Sequence, residues 1–396
     1  MFGMVNLSER WRPVPSSLRS AWFLVGATGF ALNILCRSLT PAGWISSAGW
    51  LLASSVWFYI WLYAGWHLVG HKTNEAKEIE LRLGAGNLLT LGRGWLLALL
   101  AGFLLGPEPD GFGRWLPVVA YTVSDIADYF DGYLARRQGL ATNLGVALDL
   151  ELDALGLLLA VGVAIHLGAL PWWFITFGVA RYSYTVLIRV RQWLGLPVYE
   201  LSPSKGRRPI AGISMGYISA SLWPILDQPE LTLAGVVFML PFTAGFIRDG
   251  LVVAGQLDPS SPDYRRWRSW GRRLLLQWAP LIFRAGVLYL VFLEVPSLLK
   301  PSEQLMRAVS NLWVLRGFAL IILLGGGAIV LGWAGRFAAF AVVFPFGLTI
   351  AATSLTVARA PALVSLLAIL ILGTGRFSLW QPSDRVFAQR AGERVV

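Results

Sequence analysis

The sequence predicts an all-α, polytopic membrane protein with about twelve transmembrane helices, and three observations carry that expectation. Of 396 residues, 56% are hydrophobic and only 14% are charged, whereas soluble domains carry about a quarter charged residues. The mean hydropathy of +0.61 comes from apolar runs such as 21–36, 44–70 and 146–187, the last interrupted only near His166. Runs of this kind fit the ~20 residues that cross a bilayer as helix. The 33 basic residues outnumber the 22 acidic ones, and they gather at the ends of these runs. Arg10, Arg12 and Arg19 precede the first run, and His71, Lys72, Lys77 and Arg82 follow the second. Arg136 and Arg137, the stretch 189–208, and the cluster Arg265, Arg266, Arg268, Arg272 and Arg273 come later. The intervening loops 107–113, 168–172 and 227–230 carry little positive charge. By the positive-inside rule the basic loops and both termini face the cytoplasm of a cell (inner or plasma) membrane. Arginines that recur at span ends are topology signals, so nucleic acid is not an expected partner.

In chain order, two tryptophan-rich spans end near Gly70 and belong to a first region, 1–79. Residues 71–82 are polar and read as an amphipathic helix on the cytoplasmic surface. Six spans follow, starting near Leu91, Trp115, Leu144, Pro171, Ile210 and Leu231, and they make up a second region, 80–256. The stretch 255–273, with Asp258-Pro259-Ser260-Ser261-Pro262, interrupts the pattern and marks a domain boundary. The third region, 257–396, holds four further spans between Leu274 and Gly375 and a polar tail expected in the cytoplasm. Arg284, Arg316, Arg336 and Arg359 are scattered along it near expected span ends and read as interface anchors. This region is expected to be an oligomerisation or accessory module, a homodimer being one form. The run 21–36 follows a long basic segment and precedes no small-residue cleavage site, which argues for an anchor over a cleaved leader. No internal repeat stands out. Cys36 is the single cysteine and there are three histidines, so a Cys/His zinc site is excluded. A metal here must be held by oxygen.

The chemistry is concentrated in 125–153. An apolar helix carries Asp125, Asp128 and Asp131 at intervals of three, which sets neighbouring carboxylates on nearly one face. After a polar turn the next helix carries Asp149 and Asp153, four apart and again on a shared face. Each carboxylate at mid-membrane costs about 2.5–3.5 kcal/mol on insertion scales, so four or five together need cations. Two helices offering paired carboxylates to each other form a site for a hard divalent metal, and Mg²⁺ suits it, completing its shell with water and substrate phosphates. The alternatives are carboxylates paired with neighbouring arginines, or a cation or proton path through an ion-coupled transporter. Neither explains the small residues and the arginine set between the acids.

Those residues complete a pattern: Asp128, two residues, Asp131-Gly132, two residues, Ala135-Arg136, eight residues, Gly145, three residues, Asp149, three residues, Asp153. It resembles, without gap or substitution, the signature of the CDP-alcohol phosphotransferase (CDP-alcohol phosphatidyltransferase) family. Around it, Asn87, Thr90 and Arg93, the pair Arg181 and Arg189, and Ser204-Lys205-Gly206-Arg207 are similar to features of the phosphatidylglycerophosphate synthase branch. Pro209 after that loop, arginine as its second basic residue, and Glu151 where many relatives have a small apolar residue are departures. The resemblance covers about 80–256 and implies a six-helix catalytic core within the twelve spans. It also implies an integral-membrane enzyme of phospholipid synthesis that transfers a substituted phosphate from a CDP-linked lipid to an alcohol, releasing CMP.

The residues fit that chemistry. Asp128, Asp131 and Asp149 are expected to hold two Mg²⁺ or Mn²⁺ ions that neutralise the donor diphosphate. Asp153 stands at the end of the row as a further metal ligand and as the base that takes the acceptor alcohol's proton. Gly132, Ala135 and Gly145 keep a space open for cytidine and ribose, with Arg136 and Asp128 as nucleotide contacts; for each glycine alone, close helix packing is the competing reading. A phosphorylated acceptor needs cations, and Arg181, Lys205, Arg207 and Arg248 are the candidates. Arg181 and Arg248 stand within or at the edge of apolar spans, where a lone arginine is costly. Glycerol 3-phosphate is the expected acceptor, with inositol phosphate, inositol, serine or an aminoalcohol as alternatives.

Overall fold

Residues 16–41, 43–69, 84–138, 143–201, 207–226 and 228–381 are described by a computed structural model. Among them the chain is helical, and an isolated β-bridge pairs Trp333 with Trp380. The chain divides into two compact units, Met1–Tyr182 with Ile218–Pro224, and Ser183–Tyr217 with Ile225–Val396.

In the first unit, α1 (Ser16–Leu39) and α2 (Ser47–Val69) are joined by a tryptophan zipper. Trp22 and Trp61 stack with ring centroids 4.2 Å apart. Each indole N–H donates to the other residue's backbone carbonyl at 3.0 Å. Trp57 donates likewise to the Gly26 carbonyl at 3.1 Å. With no water in a hydrocarbon layer, an indole N–H must find its acceptor in protein. Gly26 and Gly29, which Trp61 and Trp57 cover, let the rings close on the α1 backbone. Buried Asn33 extends the seam, accepting from the Trp95 indole at 3.0 Å and facing Ser54 at 3.4 Å. The seam thereby ties α1 and α2 to α3 (Ala85–Ala101).

Helices α3, α4 (Leu116–Gln138) and α5 (Asn143–His166) pack together as the centre of this unit. A Cβ on Gly94 of α3 would lie 3.0 Å from Ile60 of α2 and 3.4 Å from Leu152 of α5, so its small size sets both distances. A 3₁₀ turn, Trp172–Phe174, leads into α6 (Ile175–Trp193). Gly178 of α6 lies against the Leu158 backbone of α5, where a Cβ would come to 2.9 Å of its Cα. Helix α7 (Arg207–Ser221) ends in this unit, where Ser219 meets Thr122 of α4 at 2.7 Å.

In the second unit, α8 (Gln228–Val253) precedes a turn in which Asp258 binds the Ser260 amide and hydroxyl. The expected break at 255–273 is thus only partly irregular. Ser261 caps α9 (Pro262–Arg273), accepting from the Tyr264 amide, with Pro262 in the first turn. None of the residues of α9 is buried. A five-residue π turn, Leu274–Trp278, carries the helix into α10 (Ala279–Leu299). The short α11 (Glu303–Ala308), α12 (Leu312–Leu331), α13 (Gly335–Thr353) and α14 (Ala360–Leu372) complete the unit. Asn311 caps the start of α12, and Gly332, at φ +69°, closes its end in the left-handed conformation that glycine adopts without strain.

Two arginines of this unit correct the interface-anchor expectation. Arg359 pairs with fully buried Glu294 through two contacts, Nε to Oε1 at 2.6 Å and Nη2 to Oε2 at 3.2 Å. Arg284, 7% exposed, donates to Ser378 at 2.5 Å and to the Val330 and Phe377 carbonyls at 3.4 Å. Their positions in the chain resemble span ends, but the helices fold over them.

The sequence places about twelve spans along the chain. Among the described residues, six helical stretches are both long and apolar enough to cross a membrane: Ser16–Leu39, Ala85–Leu104, Gln228–Val253, Pro262–Leu299, Leu312–Leu331 and Gly335–Thr353. The reason the others fall short is chemical. Helix α2 is diluted by tryptophan, tyrosine and serine, α4 and α5 carry the carboxylates, α6 carries Arg181, Arg189 and Arg191, and α7 and α14 are short. The expected surface helix at 71–82 lies outside the described residues.

Candidate active site

Three helices supply the site, each through the spacing already visible in its sequence. Asn87, Thr90 and Arg93, at intervals of three on α3, are all buried. Asp125, Asp128 and Asp131 occupy one side of α4, and Asp149 and Asp153 one side of α5. Packing of α3 against α4 and α5 brings these faces together.

Arg93, 2% exposed, lies at the convergence. Its Nη1 is 2.5 Å from Asp128, 3.1 Å from Asp149 and 3.5 Å from Asp131, while Nη2 is 2.9 Å from Asp153. Thr90 supports Asp131 from beneath, its hydroxyl 2.8 Å from Oδ2 and 3.0 Å from the Gly86 carbonyl. Asp131 is buried, and the Asp128, Asp149 and Asp153 side chains are 36%, 50% and 39% exposed. The carboxylates therefore have a closed floor and an open side.

Asp128, Asp131 and Asp149 each turn one oxygen into a group whose members all lie within 4.8 Å of one another. Three hard oxygen donors at this spacing suit Mg²⁺ or Mn²⁺, which take carboxylates and keep waters and phosphates as remaining ligands. Asp153 faces the other nitrogen of Arg93. Tyr121, one turn before Asp125 on α4, is fully buried and its hydroxyl has no hydrogen-bond partner among the described residues.

The other expected site residues divide. Gly132 and Gly145 lie in α4 and α5, both partly exposed. The side chains of Ala135, Arg136 and Arg207, and Lys205 altogether, lie outside the described residues, as does the turn 139–142. Arg181 of α6 reaches α5, where Nη1 donates to the Leu150 carbonyl. Arg248 belongs to the second unit and is matched there, at 2.9 Å from Asp249 and 2.8 Å from the Tyr264 hydroxyl. It is therefore not the lone arginine its sequence context implies. The site assignment from sequence omits Arg93 and Thr90. The signal for them is an arginine and a threonine three residues apart on one face of an apolar helix, where an unpaired guanidinium would be costly.

Residues 84–245 match the family described as CDP-alcohol phosphatidyltransferase. Two curated relatives are each named "Probable phosphatidylglycerophosphate synthase", from Mycobacterium tuberculosis strains CDC 1551 / Oshkosh and ATCC 25618 / H37Rv. Each is 32% identical over 161 residues, covering 40% of this chain and 66% of the relative. The chain thus spans just under two thirds of the length of these relatives. No solved structure matches it.

Proposed function

We propose that the chain, whose residues 84–245 match the CDP-alcohol phosphatidyltransferase family, transfers a phosphatidyl group from a CDP-linked lipid such as CDP-diacylglycerol to glycerol 3-phosphate. The observation that carries this reading is the convergence of Asp128, Asp131 and Asp149 within 4.8 Å on two adjacent helices of the matched segment. The acceptor oxygen attacks the phosphorus bearing the diacylglycerol, the bond from that phosphorus to CMP breaks, and the acceptor's proton passes to the Asp153 carboxylate. Asp128, Asp131 and Asp149, with Asp153 at the end of the row, are the residues that would hold two divalent cations. When bound, such cations polarise the phosphoryl oxygens and neutralise charge on the departing phosphate.

Arg93 has a separate task. Its guanidinium spans from the three-carboxylate group to Asp153, which keeps four like charges at fixed separations. Asp153 is oriented by a charge-assisted hydrogen bond of 2.9 Å, and an oriented carboxylate is what proton abstraction needs. Gly132, Ala135 and Gly145 leave room for the nucleotide, which Arg136 and Asp128 contact. Arg181, Lys205, Arg207 and Arg248 are proposed for the acceptor phosphate. The support for Arg181 is its place on α6 beside the α5 backbone, between the two metal-side aspartates in sequence register.

The same reading makes 80–256 the catalytic core, with 1–79 and 257–396 as accessory membrane modules, twelve spans in all and the basic loops on the cytoplasmic side. The arginines of α9, Arg265, Arg266, Arg268, Arg272 and Arg273, support that orientation, because basic residues favour the cytoplasmic side, and exposed Trp267 and Trp270 suit either interface. The test is CMP release by the purified chain from CDP-diacylglycerol with Mg²⁺ or Mn²⁺, across glycerol 3-phosphate, inositol phosphate, inositol, serine and an aminoalcohol. Turnover with glycerol 3-phosphate is expected. Turnover confined to a neutral alcohol overturns the acceptor, and no CMP release with any of them overturns the enzyme.

A further inference from the structure

Helix α5 has a second charged face that the transfer chemistry does not use. Glu151 lies between Asp149 and Asp153 in sequence, and at 100° per residue it sits about 200° round the helix from Asp149. It therefore points away from the carboxylate cluster. There it accepts a hydrogen bond from Tyr59 of α2 at 2.8 Å and another from Tyr182 of α6 at 3.2 Å, both on Oε1. Two further contacts reach the α5 backbone in the turn that leads into Glu151. The Tyr63 hydroxyl donates to the Ala147 carbonyl at 3.5 Å, and Arg181 donates to that of Leu150. Leu148 and Leu152 are fully buried, with Leu152 against Gly94 of α3.

We propose that Glu151 is a positioning residue: by accepting from Tyr59 and Tyr182 it fixes the rotation of α5 about its axis, and with it the aim of Asp149 and Asp153. The physical basis is the difference between packing and hydrogen bonding. Leucines packed against α3 tolerate a rotation of several degrees with little change in buried area, because apolar contact has no direction. A carboxylate held by phenols from two other helices does not, since a hydrogen bond weakens steeply as its angle opens. A few degrees matter here, because ligands of a small hard cation demand close geometry. The phenols come from helices with different relations to the matched segment. Tyr182 lies inside 84–245, whereas Tyr59 lies before it. The proposal thus gives α2 a task, which is to brace the catalytic helix from outside the family domain. It rests on the reading of Asp149 and Asp153 as working carboxylates.

The experiment compares the full-length parent with Glu151→Ala, Glu151→Gln, Glu151→Met, Tyr59→Phe and Tyr182→Phe, measuring Mn²⁺ affinity by titration without substrate, then KM and kcat. Loss of a partner that orients metal ligands typically weakens metal binding 10–100-fold, and Glu151→Ala is expected near the lower end, about tenfold. Glu151→Gln keeps the accepting oxygen and is expected to stay within about threefold, whereas Glu151→Met, similar in size but unable to accept from the two phenols, is expected to fall with Glu151→Ala, which a purely steric role would not predict. Tyr59→Phe should weaken Mn²⁺ binding less than Glu151→Ala and add nothing on top of it, as members of one linked set are non-additive. If Glu151→Ala fails to fold, the Tyr59→Phe and Tyr182→Phe double variant takes its place. Parent-like Mn²⁺ affinity in Glu151→Ala (or in that double variant), or a Tyr59→Phe effect that simply adds, overturns the proposal. If Mn²⁺ binding shifts as expected but the parent releases no CMP, the proposed transfer fails and the positioning role stands.

Discussion

In each unit of the chain an arginine pairs with a buried carboxylate, and the two arrangements differ in balance and in access. In the second unit, Arg359 meets one carboxylate, Glu294, which has no exposed side-chain surface. Arg359 also donates to Thr353 at 2.5 Å and to the Ser354 carbonyl. The charges match, and the pair is closed. In the first unit, Arg93 faces four carboxylates, three of them more than a third exposed. One guanidinium against four carboxylates leaves an excess of negative charge facing an open side. A matched, closed pair serves packing, while an unmatched and open one is prepared for cations that arrive from outside. The presence of buried charge does not separate a structural pair from a site; its balance and exposure do.

The most severe way to break the comparison is to remove one member of the open cluster. Asp128→Asn, Asp131→Asn and Asp149→Asn are each expected to abolish metal-dependent CMP release, since a shared metal site loses its ligand balance. Activity within a few fold of the parent at saturating metal would remove these residues from the site. Asp153→Asn should lose ~10²–10⁴-fold in kcat, the range for a general base, while CDP-lipid binding is largely kept. Failure of that variant to bind the donor would make Asp153 chiefly a metal ligand.

The closed pair should answer in stability instead. Glu294→Leu leaves the Arg359 charge buried without its partner and is expected to cost about 3–5 kcal/mol, with the Glu294→Leu, Arg359→Met double variant recovering most of it. Thermal unfolding in detergent measures both, and Mn²⁺ affinity should not change in the double variant. Arg93→Gln sharpens the contrast from the other side. Without the guanidinium the carboxylates repel, so the metal-free protein should melt at a lower temperature. Added Mn²⁺ at 100 times its Kd should then restore about 2.7 kcal/mol through binding to the folded state. If Mn²⁺ stabilised Arg93→Gln no more than it does the Asp128→Asn variant under the same conditions, the cluster would not be a cation site. The smallest effect is expected at Ser261→Ala, about 1 kcal/mol of local helix stability, seen as faster hydrogen exchange in the first turn of α9 with turnover unchanged.

The sequence by itself determined the class of the protein and the members of its acidic row. Apolar run length and basic loop ends gave the helices and most of their positions, because the bilayer imposes both rules on the chain locally. Spacing of three and four placed Asp128 with Asp131, and Asp149 with Asp153, on common faces, since a helix converts sequence interval directly into angle. Only the tertiary structure decided what those faces meet. Arg93 reaches Asp128 and Asp153 across 35 and 60 residues, and Tyr59 reaches Glu151 across 92. Arg284 and Arg359 read as anchors for the same reason that Arg93, though part of a family-like lead-in, is left out of the expected site. A single sequence shows where a charge stands in its own helix but not which other helix covers it, and in a membrane protein the covering partner determines the role of the charge.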